Sequence, residues 1–178
     1  MKKMLILAAV VLIAGLTGCK KDSSNTVTPT PTDPIVGTWL STGTNVAYGL
    51  RVAPFKVKSI TATFNSNMSY TVVQTDSANV QTTLSGTYAN PVSTSTDTLS
   101  TDGTTGATIY NIVANQTTPS TVTATGIYAI KNSNMTYEVI QTTPALAGVS
   151  APTAAGGFGS TTIAGTKYAI YVQKYVKQ

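Results

Sequence analysis

From Ile35 onward, short runs of alternating apolar and polar residues are cut by clusters of Asn, Gly, Asp and Pro, and few folds satisfy that pattern. Ile60, Ala62 and Phe64 alternate with Ser59, Thr61 and Thr63; Asn65-Ser66-Asn67 interrupts; Met68, Tyr70 and Val72 then alternate with Ser69, Thr71 and Val73. A period of two sends successive side chains to opposite faces of a strand, and an Asn-rich break between two such runs describes a hairpin. The stretch NSNMSYTVVQT from Asn65 returns as NSNMTYEVIQT from Asn132, 67 residues later, with eight of eleven letters kept. Val122, Ala124, Tyr128 and Ile130 precede the second copy on one face, and Met135, Tyr137 and Val139 follow it. The repeat is therefore read as one hairpin design used twice, with asparagine in the turn because it tolerates positive φ.

The pattern extends along the chain. Thr, Ser, Val, Tyr and Ile dominate it, while Glu and Lys, the helix formers of exposed faces, are scarce. Strands are expected near 35–42, 57–64, 68–75, 80–89, 96–100, 107–114, 121–130, 134–142 and 167–176. Gly86-Thr87-Tyr88 and Gly126-Ile127-Tyr128 put a glycine inside two of them, where it marks a sharp bend or a close backbone approach. Eight or nine short strands with short connections predict an all-β fold, a barrel or else a β-sandwich. The uncharged, glycine-rich stretch from Pro144 to Gly165 reads as a flexible loop before the last strand, with Phe158 either exposed or tucked against the barrel.

The first residues carry an address. Lys2 and Lys3 precede an apolar run from Met4 to Leu16, short of the roughly 20 residues that a spanning helix needs. Leu16-Thr17-Gly18-Cys19 resembles the lipobox of bacterial lipoproteins, which implies cleavage before Cys19 and a diacylglycerol on its thiol. Cys19 is the single cysteine of the 178 residues. The chain then divides into a signal peptide over 1–18, a lipidated Cys19 with a Pro/Thr-rich tether over 19–34, and a barrel domain over 35–178. Fully extended, the tether reaches roughly 45 Å. Lys20 in the second mature position, by resemblance to sorting rules, implies the outer membrane; CKKDSS is loosely similar to export signals of surface lipoproteins of the Bacteroidetes. The periplasmic and surface faces both stay open.

Composition narrows function by exclusion. Without Lys2 and Lys3, nine basic residues face 6 acidic ones, a net of +3 too scattered to argue for nucleic acid. Histidine is absent and Glu138 is the only glutamate, so imidazole chemistry and the usual zinc sites cannot be assembled. Neither catalytic residues nor a metal nor a cofactor is expected, and the protein reads as a non-enzyme.

Gly37-Thr38-Trp39, at the head of the first strand, resembles the Gly-x-Trp signature that opens the lipocalin barrel. ITATFNSNMSY is similar to the Phe-Asn-x-x-Gly-x-Tyr hairpin of bacterial lipocalin-like lipoproteins, LSGTYAN to their Ser-Gly-x-Tyr strand and TDTLS to the next. Two positions depart from that family: Met68 stands where glycine is common, and no late arginine is present to pack across the tryptophan, so Lys174 on the last strand would take that place. The resemblance implies an antiparallel up-and-down barrel of eight strands, lipocalin-like; if that barrel is open, the inward set Trp39, Phe64, Tyr70, Tyr88, Tyr128 and Tyr137, with Ile170 and Val172 on the last strand, is expected to line its cavity. It also implies a lid over residues 44–55, in which Tyr48, Leu50 and Phe55 give an apolar side and Arg51 either meets a ligand carboxylate or is solvated. A small apolar or amphipathic ligand and the membrane, through the lipid, are the expected partners. The competing expectation is a filled barrel or sandwich acting as a surface or structural module. Asp76-Ser77-Ala78 and Asp97-Thr98-Leu99 resemble a three-residue O-glycosylation acceptor, which marks Ser77 and Thr98.

Overall fold

The computed structural model describes residues 33–99 and 103–178; the lipobox, Cys19 and most of the tether lie outside the described residues. Eight staves, all antiparallel to their neighbours, close into a barrel. β1 is Gly37–Thr42, β2 Val57–Phe64, β3 Ser69–Asp76, β4 Gln81–Ala89, β5 Val92–Thr96, β6 Thr108–Thr118, β7 Val122–Lys131 and β8 Asn134–Thr143. After a three-stranded miniature sheet of β9 Val149–Ser150, β10 Thr162–Ile163 and β11 Thr166–Lys167, the closing strand β12 runs Gln173–Lys177. Each stave pairs with the next in sequence, and β12 returns to pair with both β8 and β1. β4 and β5 are one stave broken at Asn90 and Pro91, since both pair with β6 and Asn111 N donates to Pro91 O at 3.0 Å across the break. The fold is the antiparallel eight-stranded barrel of lipocalin-like architecture.

Alternation divides the side chains between two cores. Inside the barrel pack Trp39, Ile60, Ala62, Phe64, Tyr70, Tyr88, Ile112, Tyr128, Met135 and Tyr175. The two in-strand glycines make its corners. A Cβ on Gly86 would stand 2.0 Å from Asn115 O, and one on Gly126 would stand 2.0 Å from Glu138 O. Neighbouring backbones approach too closely there for any side chain, which is how a strand bends to close a small barrel.

A second core lies on the outer wall. Ile109, Ile127 and Ala129 face outward from β6 and β7 and are covered by Phe158, with Val172 packed against the same cluster. The stretch from Pro144 to Gly165, expected to be a flexible loop, is thus a strap fixed to the barrel. Glu138, on the outer face of β8 opposite Ile127, is fully buried beneath it: its Oε2 accepts from Gly159 N at 2.6 Å and its Oε1 from Thr161 N at 3.2 Å. A buried carboxylate is tolerated where backbone N–H groups replace its lost water.

Two expected strands are corrected. The run near 96–100 ends at Thr96, because the buried Asp97 carboxylate accepts from Leu99 N at 3.0 Å and from Thr104 Oγ1, turning the chain. The run near 167–176 contributes only Gln173–Lys177 to the barrel; Ala169–Tyr171 forms a 3₁₀ turn before it. Ile170 therefore lies outside the closing strand, and Val172 packs on the outer wall instead of the cavity.

The repeated stretch also serves in two different ways. In the first copy four residues, 65–68, separate β2 from β3, and Met68 takes the left-handed conformation at φ 63°. In the second only Asn132 and Ser133 lie between β7 and β8; Asn132 takes φ 56° and Met135 is buried in the core. Both copies nevertheless turn their tyrosine inward.

Candidate functional site

The closed end of the barrel is floored by Trp39. Its ring is fully buried, its Nε1 donates to Ile35 O at 2.7 Å, and Lys177 Nζ sits 5.1 Å from the ring centroid. Lys177 and not Lys174 takes the place expected of an arginine. Tyr175 points inward, so alternation puts Lys177 on the inner face and Lys174 on the outer. The floor tyrosines are hydrogen-bonded: Tyr88 Oη donates to Asn65 O at 3.0 Å, and Tyr128 Oη accepts from Asn90 Nδ2 at 2.8 Å. Tyr110 stacks on Tyr128 with centroids 5.1 Å apart, and Phe64 meets the edge of Tyr88 at 5.1 Å.

Above this floor the barrel holds a cavity of about 150 Å³. Phe64, Tyr70, Tyr137 and Tyr175 form its lower wall; Val72, Gln74, Leu84, Gln116, Ala124 and Val139 line it toward the other end. Of the six residues expected to line a cavity, Phe64, Tyr70 and Tyr137 do so, while Trp39, Tyr88 and Tyr128 are packed into the floor beneath. Tyr175, which the sequence pattern did not single out, is a wall residue: it lies only two residues before the Lys177 that covers the floor, on the same face.

The phenols of the wall differ from those of the floor. Among the described residues, the hydroxyls of Tyr70, Tyr137 and Tyr175 make no hydrogen bond. Tyr137 and Tyr175 meet edge to face, with centroids 6.0 Å apart. Burial pushes all three phenols above the ordinary tyrosine value, and Tyr137 and Tyr175 are raised further by the neighbouring phenols Tyr70 and Tyr137, respectively. These groups stay neutral donors at any physiological pH.

The segment between β1 and β2 reaches over the open end. Val46 and Ala47 are buried pegs, and the single helical turn Tyr48–Arg51 lowers Leu50 onto the cavity. Tyr48 and Phe55 are exposed, at 56% and 57%. Arg51 is exposed as well, with its guanidinium carbon 5.7 Å from the Tyr48 ring centroid, and it lines an outer groove with Lys56 and Lys58. Among the described residues, no charged side chain lines the cavity itself. Ser77, in the turn after β3, and Thr98, after β5, are both exposed.

Fold and cavity together define a small closed barrel of lipocalin-like architecture with an aromatic floor, an interior cavity and a short lid. Comparison with known protein families, with curated proteins and with solved structures gives no match for this chain, so its likeness to lipocalins is one of architecture.

Proposed function

We propose that the protein is a non-catalytic lipoprotein of the bacterial outer membrane, anchored through Cys19, whose barrel takes up one small amphipathic molecule. The observation that carries the ligand reading is the 150 Å³ cavity beneath Leu50, walled by apolar and aromatic side chains with a few polar groups. That mixture is the usual lining of a small-molecule site. The anchor reading rests on Leu16-Thr17-Gly18-Cys19 behind a short apolar run.

A second reading has its own observation. Small-molecule pockets usually measure about 300 Å³ or more, and this cavity holds half of that. A barrel so nearly filled also suits a surface or structural module held on a lipid tether.

Native mass spectrometry of the protein released from bacterial membranes, repeated after denaturation, tests both parts. Mass that survives denaturation and disappears in Cys19→Ala is the lipid; mass lost on denaturation is the ligand. A lipidated chain without extra mass favours the structural module, and a chain still carrying residues 1–18 refutes the anchor.

A further inference from the structure

Six tyrosines turn into the barrel at two levels, Tyr88, Tyr110 and Tyr128 at the floor and Tyr70, Tyr137 and Tyr175 around the lower cavity. Tyr88 and Tyr128 at the floor have protein partners. Tyr70, Tyr137 and Tyr175, which surround the lower cavity, have none among the described residues. A hydroxyl that no protein group engages, on a residue lining a cavity, is available to whatever the cavity holds. Phe64 stands in the same wall, so a ring without a hydroxyl fits there too. Three tyrosines without a protein partner for their hydroxyls thus line one cavity, a concentration of donors in a mostly apolar wall.

We propose, building on the small-ligand reading above, that the cavity selects a compact, uncharged, ring-sized molecule bearing a hydrogen-bond acceptor, and that Tyr70, Tyr137 and Tyr175 supply the donors. Size favours compact molecules: about 150 Å³ is the volume that takes a benzene-sized guest, less than an extended acyl chain occupies. Charge is excluded by the lining. Among the described residues no cation or carboxylate lines the cavity, Arg51 lies outside it, and a neutral phenol cannot replace the solvation of an ion. Polarity is favoured by the phenols, because a ligand that accepts from them replaces the hydrogen bonds that water would otherwise make, and a ligand without an acceptor does not. Gln74 and Gln116 sit farther up the wall, so the acceptor end of the molecule points down toward the phenols and its apolar body up toward Leu50.

The test uses the full-length chain carrying Cys19→Ala, titrated calorimetrically with four probes: acetophenone, ethylbenzene, benzoate and dodecanoate. Acetophenone and ethylbenzene have nearly the same shape and differ in the acceptor. Acetophenone is expected to bind about tenfold more tightly, the worth of one well-made hydrogen bond. Benzoate and dodecanoate are expected not to compete. In Tyr137→Phe, and independently in Tyr70→Phe, the preference for acetophenone shrinks while ethylbenzene affinity holds or rises; circular dichroism checks that each variant keeps the barrel. Equal affinity for the two neutral rings, or a preference unchanged in both variants, overturns the role of the phenols while leaving a small-ligand site intact. Tight benzoate or dodecanoate binding overturns the selection against charge or length. Failure of every probe to bind removes the small-ligand reading and this proposal with it.

Discussion

Lys177 and Trp39 face each other across the seam that closes the barrel, paired in register between β12 and β1, with the ammonium 5.1 Å from the indole centroid. The same side chain explains the glycine of Gly-x-Trp. Gly37 has φ 132°, and a Cβ there would stand 2.8 Å from Lys177 Cε. The stem of Lys177 thus needs the space of the missing side chain in order to cover the ring. Lys177→Met keeps the stem and removes the charge, and is expected to cost about 0.5–1 kcal/mol. Lys177→Ala removes both and costs more. Urea unfolding followed by the fluorescence of Trp39, the only tryptophan, measures this. An unchanged midpoint for Lys177→Met would show that stem packing alone matters.

The strap over the outer wall depends on Glu138. Glu138→Gln retains one carbonyl acceptor for Gly159 N or Thr161 N but turns an NH₂ toward the other, leaving a buried donor unpaired at a cost of about 1–3 kcal/mol. Phe158 then loses its hold on Ile109 and Ile127. The expected result is early proteolytic cleavage between residues 144 and 165, with the barrel strands still protected. Cleavage no faster than in the unaltered protein would assign the strap's stability to Phe158 alone.

What could be read in the chain was what the chain determines locally. Ile60, Ala62 and Phe64 sit inside because a period of two needs no knowledge of the neighbouring strand, and Gly86 and Gly126 signalled bends because no side chain competes there. What escaped depended on distant registers. Lys177 replaces Lys174 because β12 begins only at Gln173, a point fixed by the 3₁₀ turn and strap before it. Pro144–Gly165 looked loose because its composition is small, uncharged and rich in glycine; its anchors are Glu138 on β8 and one phenylalanine. The two Asn-Ser-Asn-Met copies share letters but not turns, since the strand pairing on either side decides how many residues remain for the loop. Cavity volume is a difference between large packed volumes, and no local pattern encodes it.

Met68 is the cost of that unshared turn. An L-residue at φ 63° is disfavoured by about 1–2 kcal/mol, against about 0.5–1 kcal/mol for the extra unfolded freedom of glycine. Met68 is 37% exposed, so little packing is lost on its removal. Met68→Gly is expected to raise stability by about 0.5 kcal/mol, while Met135→Gly in the second copy, where the side chain is in the core, destabilises strongly. Thermal unfolding of the pair checks it, and similar losses in both would contradict the difference between the two turns.

The buried phenols set an alkaline limit on the fold. Burial raises Tyr70, Tyr88, Tyr128, Tyr137 and Tyr175 above the ordinary value of 10.0, with Asp33 adding to the shift at Tyr88 and Tyr128. For a raised pKa the folded state holds its proton more tightly than the unfolded chain, so the contribution is complete below pH 10 and is lost as pH climbs through the raised values. The urea midpoint is therefore expected to fall steeply above about pH 10, together with a cooperative rise in tyrosinate absorbance as the barrel opens. Tyr137→Phe and Tyr175→Phe, which remove two of the five groups, are expected to flatten the fall. A midpoint that declines equally in the unaltered protein and in both variants would mean that these two phenols reach solvent before the barrel opens, and would place the alkaline sensitivity at the floor around Tyr88 and Tyr128.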